Sequence, residues 1–350
     1  MSIFTLRVLL VLLLHITIHY EGLGQKIYPQ KTFFKTRDFG QYFLSDHYAP
    51  NVRVNGGLGL NLSGYNINTD RNEQYVFYNE TVIGTQIPLY LQKWKKSSLA
   101  VSLPISMSVW FDFTEDITAP ILNTDYRFGL METNFIKEVD NGRIKNWGFK
   151  IIPFFHESTH IGDELTISRI LDSIPITRVN VSFETFEFAF MVNDPKEEWI
   201  SNHASKIGAR VLWNHSKGWY SIGSYEAEDS DYIASKRWFE AYFQYQYQQA
   251  KGVLSSDYWL FMTSFDFSLR VQYGYPFYLR GPQGQTIVEI ENEERYSPTF
   301  NLLLGWKYRD TVKEISRIGF FLRGYTGLNY HGQFRNIPTY QFMGFSLIYE

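Results

Sequence analysis

Hydrophobic and polar positions alternate one for one between residues 98 and 113. Leu99, Val101, Leu103, Ile105, Met107, Val109, Phe111 and Phe113 fall on one side of the pattern. Ser98, Ala100, Ser102, Ser106, Ser108 and Asp112 fall on the other. A period of two is that of a β-strand with one oily and one polar face. The run outlasts an ordinary half-buried strand of roughly five or six residues. It suits a strand crossing a bilayer obliquely, which needs about nine to eleven residues plus extensions.

The pattern recurs along the chain. Residues 51–62 set Val52, Val54, Leu58, Leu60 and Leu62 against Asn51, Arg53, Asn55 and Asn61. Residues 82–91 set Ile83, Ile87, Leu89 and Leu91 against Gly84, Gln86 and Tyr90, and 123–134 set Tyr126, Phe128 and Leu130 against Asp125, Arg127 and Thr133. Residues 147–158 set Trp147, Phe149, Ile151 and Phe155 against Gly148, Lys150, His156 and Ser158. In 177–193 the outward set is Val179, Val181 and Phe183, then Phe186, Phe188 and Phe190, so a β-bulge is expected near Glu184–Thr185. Further strands are expected at 205–213, 237–248, 257–271, 298–309, 316–326 and 340–350.

Roughly twelve strands result, an even number, as bacterial outer-membrane barrels have. Long connections at 63–79, 159–176, 214–236 and 273–296 alternate with shorter polar ones at 92–97, 136–146, 194–203, 249–256 and 309–315. Long outer loops and short periplasmic turns are the habit of such barrels. The predicted fold is therefore all-β: a transmembrane, antiparallel, up-and-down β-barrel of about twelve strands. A secreted β-sandwich is the competing reading, but its strands are shorter and would not alternate over a dozen segments.

The first residues add a location. Arg7 precedes an apolar run from Val8 to Leu14, and Gly22 and Gly24 are small residues placed for signal-peptidase cleavage before Gln25. Residues 1–24 read as a signal peptide and 25–350 as one barrel domain. No cysteine occurs, which excludes a lipoprotein anchor and disulfides, and a net charge of −3 offers no basic field for nucleic acid. The informative skew of the composition is aromatic: Phe, Tyr and Trp make up 18% of the chain, with 25 Tyr and 29 Phe. Near the end, Gly344, Leu347 and Tyr349 resemble the terminal signal read by barrel-assembly machinery.

Candidate chemistry concentrates at 156–164, His-Glu-Ser-Thr-His-Ile-Gly-Asp-Glu. His156-Glu157-x-x-His160 has the spacing of zinc proteases, whose ligands need a helix; in an extended chain the two histidines lie about 13 Å apart. Asp163 and Glu164 offer hard oxygen ligands suited to Ca²⁺. His156-x-Ser158 resembles the His-x-Ser pair of outer-membrane phospholipase A and lipid A deacylases, in which the pair faces lipid. Positions i and i+2 share a strand face, where histidine takes the serine proton. Parity from Trp147 to Phe155 turns His156 and Ser158 into the lumen, unless a bulge at Pro153 exchanges the faces. Ile170 stands twelve residues beyond Ser158, where those enzymes keep an orienting Asn or Glu.

The remaining reading is a polar network filling a narrow barrel. Its expected interior members are Arg53, Asp112, Asp125, Arg127, Lys150, His156, Arg178, Glu184, Arg210, Glu240, Asp266, Arg270, Lys307 and Arg323. The expected mouth cluster joins His156, Ser158, His160, Asp163 and Glu164 with Asp125, Arg127 and Arg178.

The string at 156–164 also resembles the signature of a bacterial outer-membrane family catalogued as domain of unknown function 1207. Leu44-Ser45-Asp46 with Pro50, residues 123–129, residues 178–182 and Gly332-Gln333-Phe334 resemble further segments of that family in order. Thr159 stands where the family more often has serine. The resemblance implies a signal-bearing barrel in a Gram-negative outer membrane and no activity. The expectation is a monomer or weak oligomer among outer-membrane lipids. Its role is small-solute or ion binding or passage at a polar mouth, or alternatively lipid ester hydrolysis by His156 and Ser158.

Overall fold

The computed structural model describes residues 30–33, 42–60, 74–113, 119, 121–162, 178–195, 202–213, 219–222, 238–280, 286–310, 315–332 and 340–349. The expected signal peptide lies outside them. Fifteen strands are present among the described residues: β1 (Gln30–Phe33), β2 (Val52–Leu60), β3 (Tyr75–Trp94), β4 (Ser97–Asp112), β5 (Ile121–Leu130), β6 (Glu132–Asn141), β7 (Ile144–Ile161) and β8 (Arg178–Val192). They continue with β9 (Asn202–Leu212), β10 (Trp219–Ile222), β11 (Trp238–Gln249), β12 (Trp259–Arg280), β13 (Thr286–Asp310), β14 (Ile315–Gly327) and β15 (Tyr340–Tyr349).

β5 and β6 are two halves of one wall strand, both lying between β4 and β7, while β1 and β10 are short additions beside β3 and β8. Twelve antiparallel wall positions remain, and β15 pairs with β2 to close the cylinder. At that seam Gly344 lies opposite Gly57, and a Cβ on Gly57 would come within 2.4 Å of the Gly344 backbone. Only glycine permits that approach.

On β4 the alternation behaves as the pattern predicts, whereas register shifts after Pro88 on β3 and after Ile152 on β7 bury Leu91 and Phe155, both expected outward. On β4, Ser102, Ser108 and Asp112 are buried within the cylinder, whereas Phe113, directly after the strand, is exposed. Ile207, Leu322, Met343 and Phe345 are exposed on the outside by 54–73%. A closed cylinder leaves no unpaired sheet edge, and an oily exterior around it is the structure of a membrane barrel. Two hairpins outrun their expected lengths. Pairing of β12 with β13 continues to Arg280 opposite Thr286, so most of the expected loop 273–296 is ladder. Likewise β6 and β7 pair through most of 136–146 and turn at Gly142, whose φ is +59°. Such extensions satisfy backbone groups without needing an oily face.

Bulges decide which way the β5–β7 region faces. On the β7–β8 ladder, Ile152 lies opposite Glu187 and Phe155 opposite Thr185, so β7 advances three residues while β8 advances two. The extra residue falls at Pro153–Phe154. Proline has no N–H for a ladder position, so bulges accommodate it; its carbonyl accepts the Trp213 indole N–H at 3.0 Å. Directly beside it on the neighbouring strand, Met131 (φ +52°) breaks the ladder between β5 and β6. The bulge expected at Glu184–Thr185 does not occur. β8 alternates without a slip, with Phe183, Thr185 and Glu187 buried inside. A one-residue slip exchanges the faces of everything beyond it.

The lumen is filled. Residues Tyr42–Asn51 run inside the cylinder, with Phe43, Ser45 and Asp46 fully buried. Asp46 faces Lys206 at 3.2 Å and Arg210 at 3.9 Å, while Asn301 donates to the Ser45 carbonyl at 2.6 Å. Around this plug, Arg210 bridges Glu187 (3.0 Å) and Glu240 (2.5 Å), Glu240 meets Arg270 at 2.6 Å, and Lys150 meets Glu187 at 2.6 Å. From the long-loop side, Leu328–Gly332 descends onto it. Tyr330 donates to Glu80 at 2.9 Å, His331 stacks on Trp110 at 4.2 Å, and the Gly332 N–H donates to Asp125 at 3.0 Å.

Candidate functional site

The bulge at Pro153 splits the expected mouth cluster in two. Asp125 and Arg127 are lumenal and buried; Arg127 pairs with Asp125 at 3.4 Å and with Glu157 at 3.6 Å. Glu157 and Thr159, now inward, are buried beside them. His156, Ser158 and His160 therefore face outward, contrary to the parity counted from Trp147. Glu184, also expected inside, is outside with them. Asp163 and Glu164 lie outside the described residues. Arg178 begins β8 opposite Ile222, and its side chain is likewise not described.

Register then assembles the outward group. His156 lies between Phe128 on β5 and Glu184 on β8, and Ser158 between Tyr126 and Ser182. His160 follows on the same face and meets the Tyr126 ring edge-on at 5.7 Å. His156 Nδ1 stands 3.1 Å from Glu184 Oε1, with side-chain exposures of 32% and 20%. A carboxylate accepts, so Nδ1 donates to Glu184, and a neutral ring in that tautomer presents its Nε2 lone pair as a proton acceptor. Ser158, two residues along the strand, is about 7 Å away at Cα on the same face. No hydrogen bond joins His156 to Ser158 among the described residues. Catalytic contacts of this kind commonly tighten only with substrate bound.

The group can thus present a hydroxyl, a base with a fixed tautomer and a carboxylate that orients it, all on the oily wall toward the long-loop rim. The orienting carboxylate comes from the neighbouring strand, not from a position twelve residues after the serine. Its signal was present in the chain: counting back from Phe190, Phe188 and Phe186 without a slip puts Glu184 outward. The zinc reading fails on geometry, since His156 and His160 lie on an extended strand. Among the described residues no group of three or more His, Cys, Asp or Glu side chains is arranged to hold a metal.

Inside, the plug carries its own electrostatics. Burial pushes the Asp46 carboxyl up, but Lys206, Arg210 and Lys150, with the Tyr48 N–H, overcome this and hold it well below the usual carboxylate range. His47, stacked on Tyr330 at 4.8 Å, is pushed well below the usual imidazole value by burial and by Arg323 and Arg53. A cavity of about 20 Å³ between His47, Asp266, Arg270 and Tyr330 has room for one water.

No family model and no curated protein matches the chain. Among solved structures, outer-membrane phospholipase A from Escherichia coli is similar, with 10% identity, 91% of this chain and 95% of that one covered, and a TM-score of 0.41. The calcium-bound dimer of the Salmonella typhi outer-membrane phospholipase shows 10% identity over 90% and 94% of the chains, with a TM-score of 0.40. The translocator domain of the autotransporter NalP from Neisseria meningitidis shows 10% identity over 87% and 90%, with a TM-score of 0.35. These likenesses carry no argument about activity; the barrel rests on its own strand pairing.

Proposed function

We propose that this chain is an outer-membrane lipid esterase, with Ser158 as nucleophile, His156 as base and Glu184 as the residue that orients it. The carrying observation is the outward placement of His156 and Ser158 by the Pro153 bulge, with Glu184 bonded to the histidine's far nitrogen. A hydroxyl on the oily wall meets acyl esters of membrane lipids without extracting them from the bilayer. In the reaction, Ser158 Oγ attacks the ester carbonyl carbon while its proton passes to His156 Nε2. The imidazolium returns that proton to the departing alcohol oxygen, leaving an acyl-serine. Water then attacks the acyl-serine, with His156 as base, to release the fatty acid and restore the hydroxyl. Glu184 holds the ring and offsets its transient charge.

Asp163 and Glu164 stay the sequence's own proposal for a Ca²⁺ site, and no step here passes through them. Passage of a solute draws no support from a lumen occupied by Tyr42–Asn51 and its ion pairs. The test is hydrolysis of a chromogenic acyl ester by purified protein in micelles. Activity that Ser158→Ala removes is expected. Absence of hydrolysis with and without calcium, or equal hydrolysis by Ser158→Ala, rejects the proposal.

A further inference from the structure

The short-turn rim of a barrel ordinarily carries polar residues; the β11–β12 connection instead exposes two apolar ones, Val253 and Leu254, among Lys251, Ser255, Ser256 and Asp257. Residues 250–258 form an ordered turn. The Ser255 hydroxyl donates to the Gln249 carbonyl at 2.5 Å and accepts from the Phe261 N–H at 3.1 Å, and Gly252 takes a φ of +144°. The turn folds back over the outside of the cylinder, where the outward Trp306 indole donates to the Leu254 carbonyl at 2.9 Å. At its tip Val253 is fully exposed and Leu254 is 50% exposed. Water would make that arrangement costly, since exposed apolar surface is disfavoured in proportion to its area.

Between turn and wall lies a cleft of about 480 Å³, lined by Val253, Leu254, Ser255, Trp259, Trp306 and Phe320. Trp259, Trp306 and Phe320 belong to the outward row that faces hydrocarbon, and Tyr308 continues it. The cleft therefore joins the turn to the outward aromatic row of the wall. Trp and Tyr at that level mark the membrane interface. Lys251 and Asp257 are the exposed charged residues of the same turn, with Lys251 adjacent to the apolar tip.

We propose that this cleft holds one acyl chain of a glycerophospholipid from the short-turn leaflet, with Val253 and Leu254 inserted among the acyl chains and Lys251 facing the phosphate. The site is separate from His156 and Ser158, and its occupancy does not depend on ester hydrolysis. The full protein would be reconstituted into phosphatidylcholine vesicles containing a small fraction of phospholipid with a photoactivated diazirine in its acyl chain. Adducts are then mapped by mass spectrometry. The expected result is several-fold more label on 253–259 and Trp306 than on Ile207 or Phe345, which face hydrocarbon on open wall. Val253→Asp with Leu254→Asp should abolish that excess and leave the label on Ile207 unchanged; both side chains are exposed, so the barrel should still fold. Even labelling around the wall overturns the proposal. So does an excess that survives the double substitution, or a turn without label because it meets water.

Discussion

Replacing Glu80 with alanine tests whether the lumenal network holds the barrel. Glu80 sits on β3 beside the closing seam and accepts from Asn55 on β2 at 2.6 Å, Arg323 on β14 at 3.0 Å and Tyr330 of the descending loop at 2.9 Å. It is 3% exposed and Arg323 is 1% exposed. Truncation leaves a buried guanidinium whose other side-chain bond is to Asn301, at 3.1 Å. Removing one partner of such a pair costs about 3–5 kcal/mol, because the remaining charge is neither hydrated nor neutralised. Adding Arg323→Ala should recover part of the loss, a coupling that a double-mutant cycle reads directly. Denaturant unfolding of micelle-refolded protein, followed by tryptophan fluorescence and gel mobility after heating, measures both. A loss under about 1 kcal/mol for Glu80→Ala, with no coupling to Arg323, would refute the reasoning.

Other consequences can be checked in the same preparation. Leu103→Arg, on the hydrocarbon face of β4 between lumenal Ser102 and Pro104, should cost about 2–4 kcal/mol if it sits near the bilayer midplane. Unchanged heat resistance would contradict the face assignment. Asp46 is held in the ionised form, so its stabilisation of the plug is complete above the unfolded carboxyl value near pH 4 and is lost only as pH falls through the lower folded one. Planar bilayers should therefore stay silent from neutral pH down to about 5, whereas Asp46→Asn should open conductance steps at neutral pH; a silent Asp46→Asn variant would show that the ion pairs do not retain the plug.

Architecture was legible because a period of two repeated over a dozen segments constrains every side chain at once. Ser102 and Asp112 inside, with Phe113 outside, need no knowledge of tertiary contacts. The candidate site was less legible because face assignment accumulates: one inserted residue reverses every position after it. Pro153 carried that signal, since a proline inside a long ladder requires a bulge or an edge. Val179, Val181 and Phe183 pulled the other way, and Phe183 is buried inside the lumen despite its oiliness. The plug was illegible for a different reason. Tyr42–Asn51 has no periodicity, and its conformation is imposed by partners more than a hundred residues away, such as Lys206, Ser264 and Asn301.

Glu184 separates a catalytic arrangement from an incidental polar patch, because its two contributions can be removed one at a time. Glu184→Gln keeps an oxygen that accepts from His156 Nδ1–H, so the ring stays oriented, but it lacks the negative charge that offsets an imidazolium. Glu184→Ala removes both. If His156 serves as base toward Ser158, kcat/KM should fall in the order Glu, Gln, Ala, with the alanine variant down about 10²–10⁴-fold. The gap between glutamine and alanine measures the value of orientation, and the gap between glutamate and glutamine the value of charge. Stability should change little across the series, since the pair is partly exposed and such pairs contribute about 0–1 kcal/mol. A Glu184→Ala variant that hydrolyses ester like the parent, while Ser158→Ala does not, would remove Glu184 from the mechanism. The meaning of the Pro153 bulge would then lie only in placing the serine and histidine on the wall.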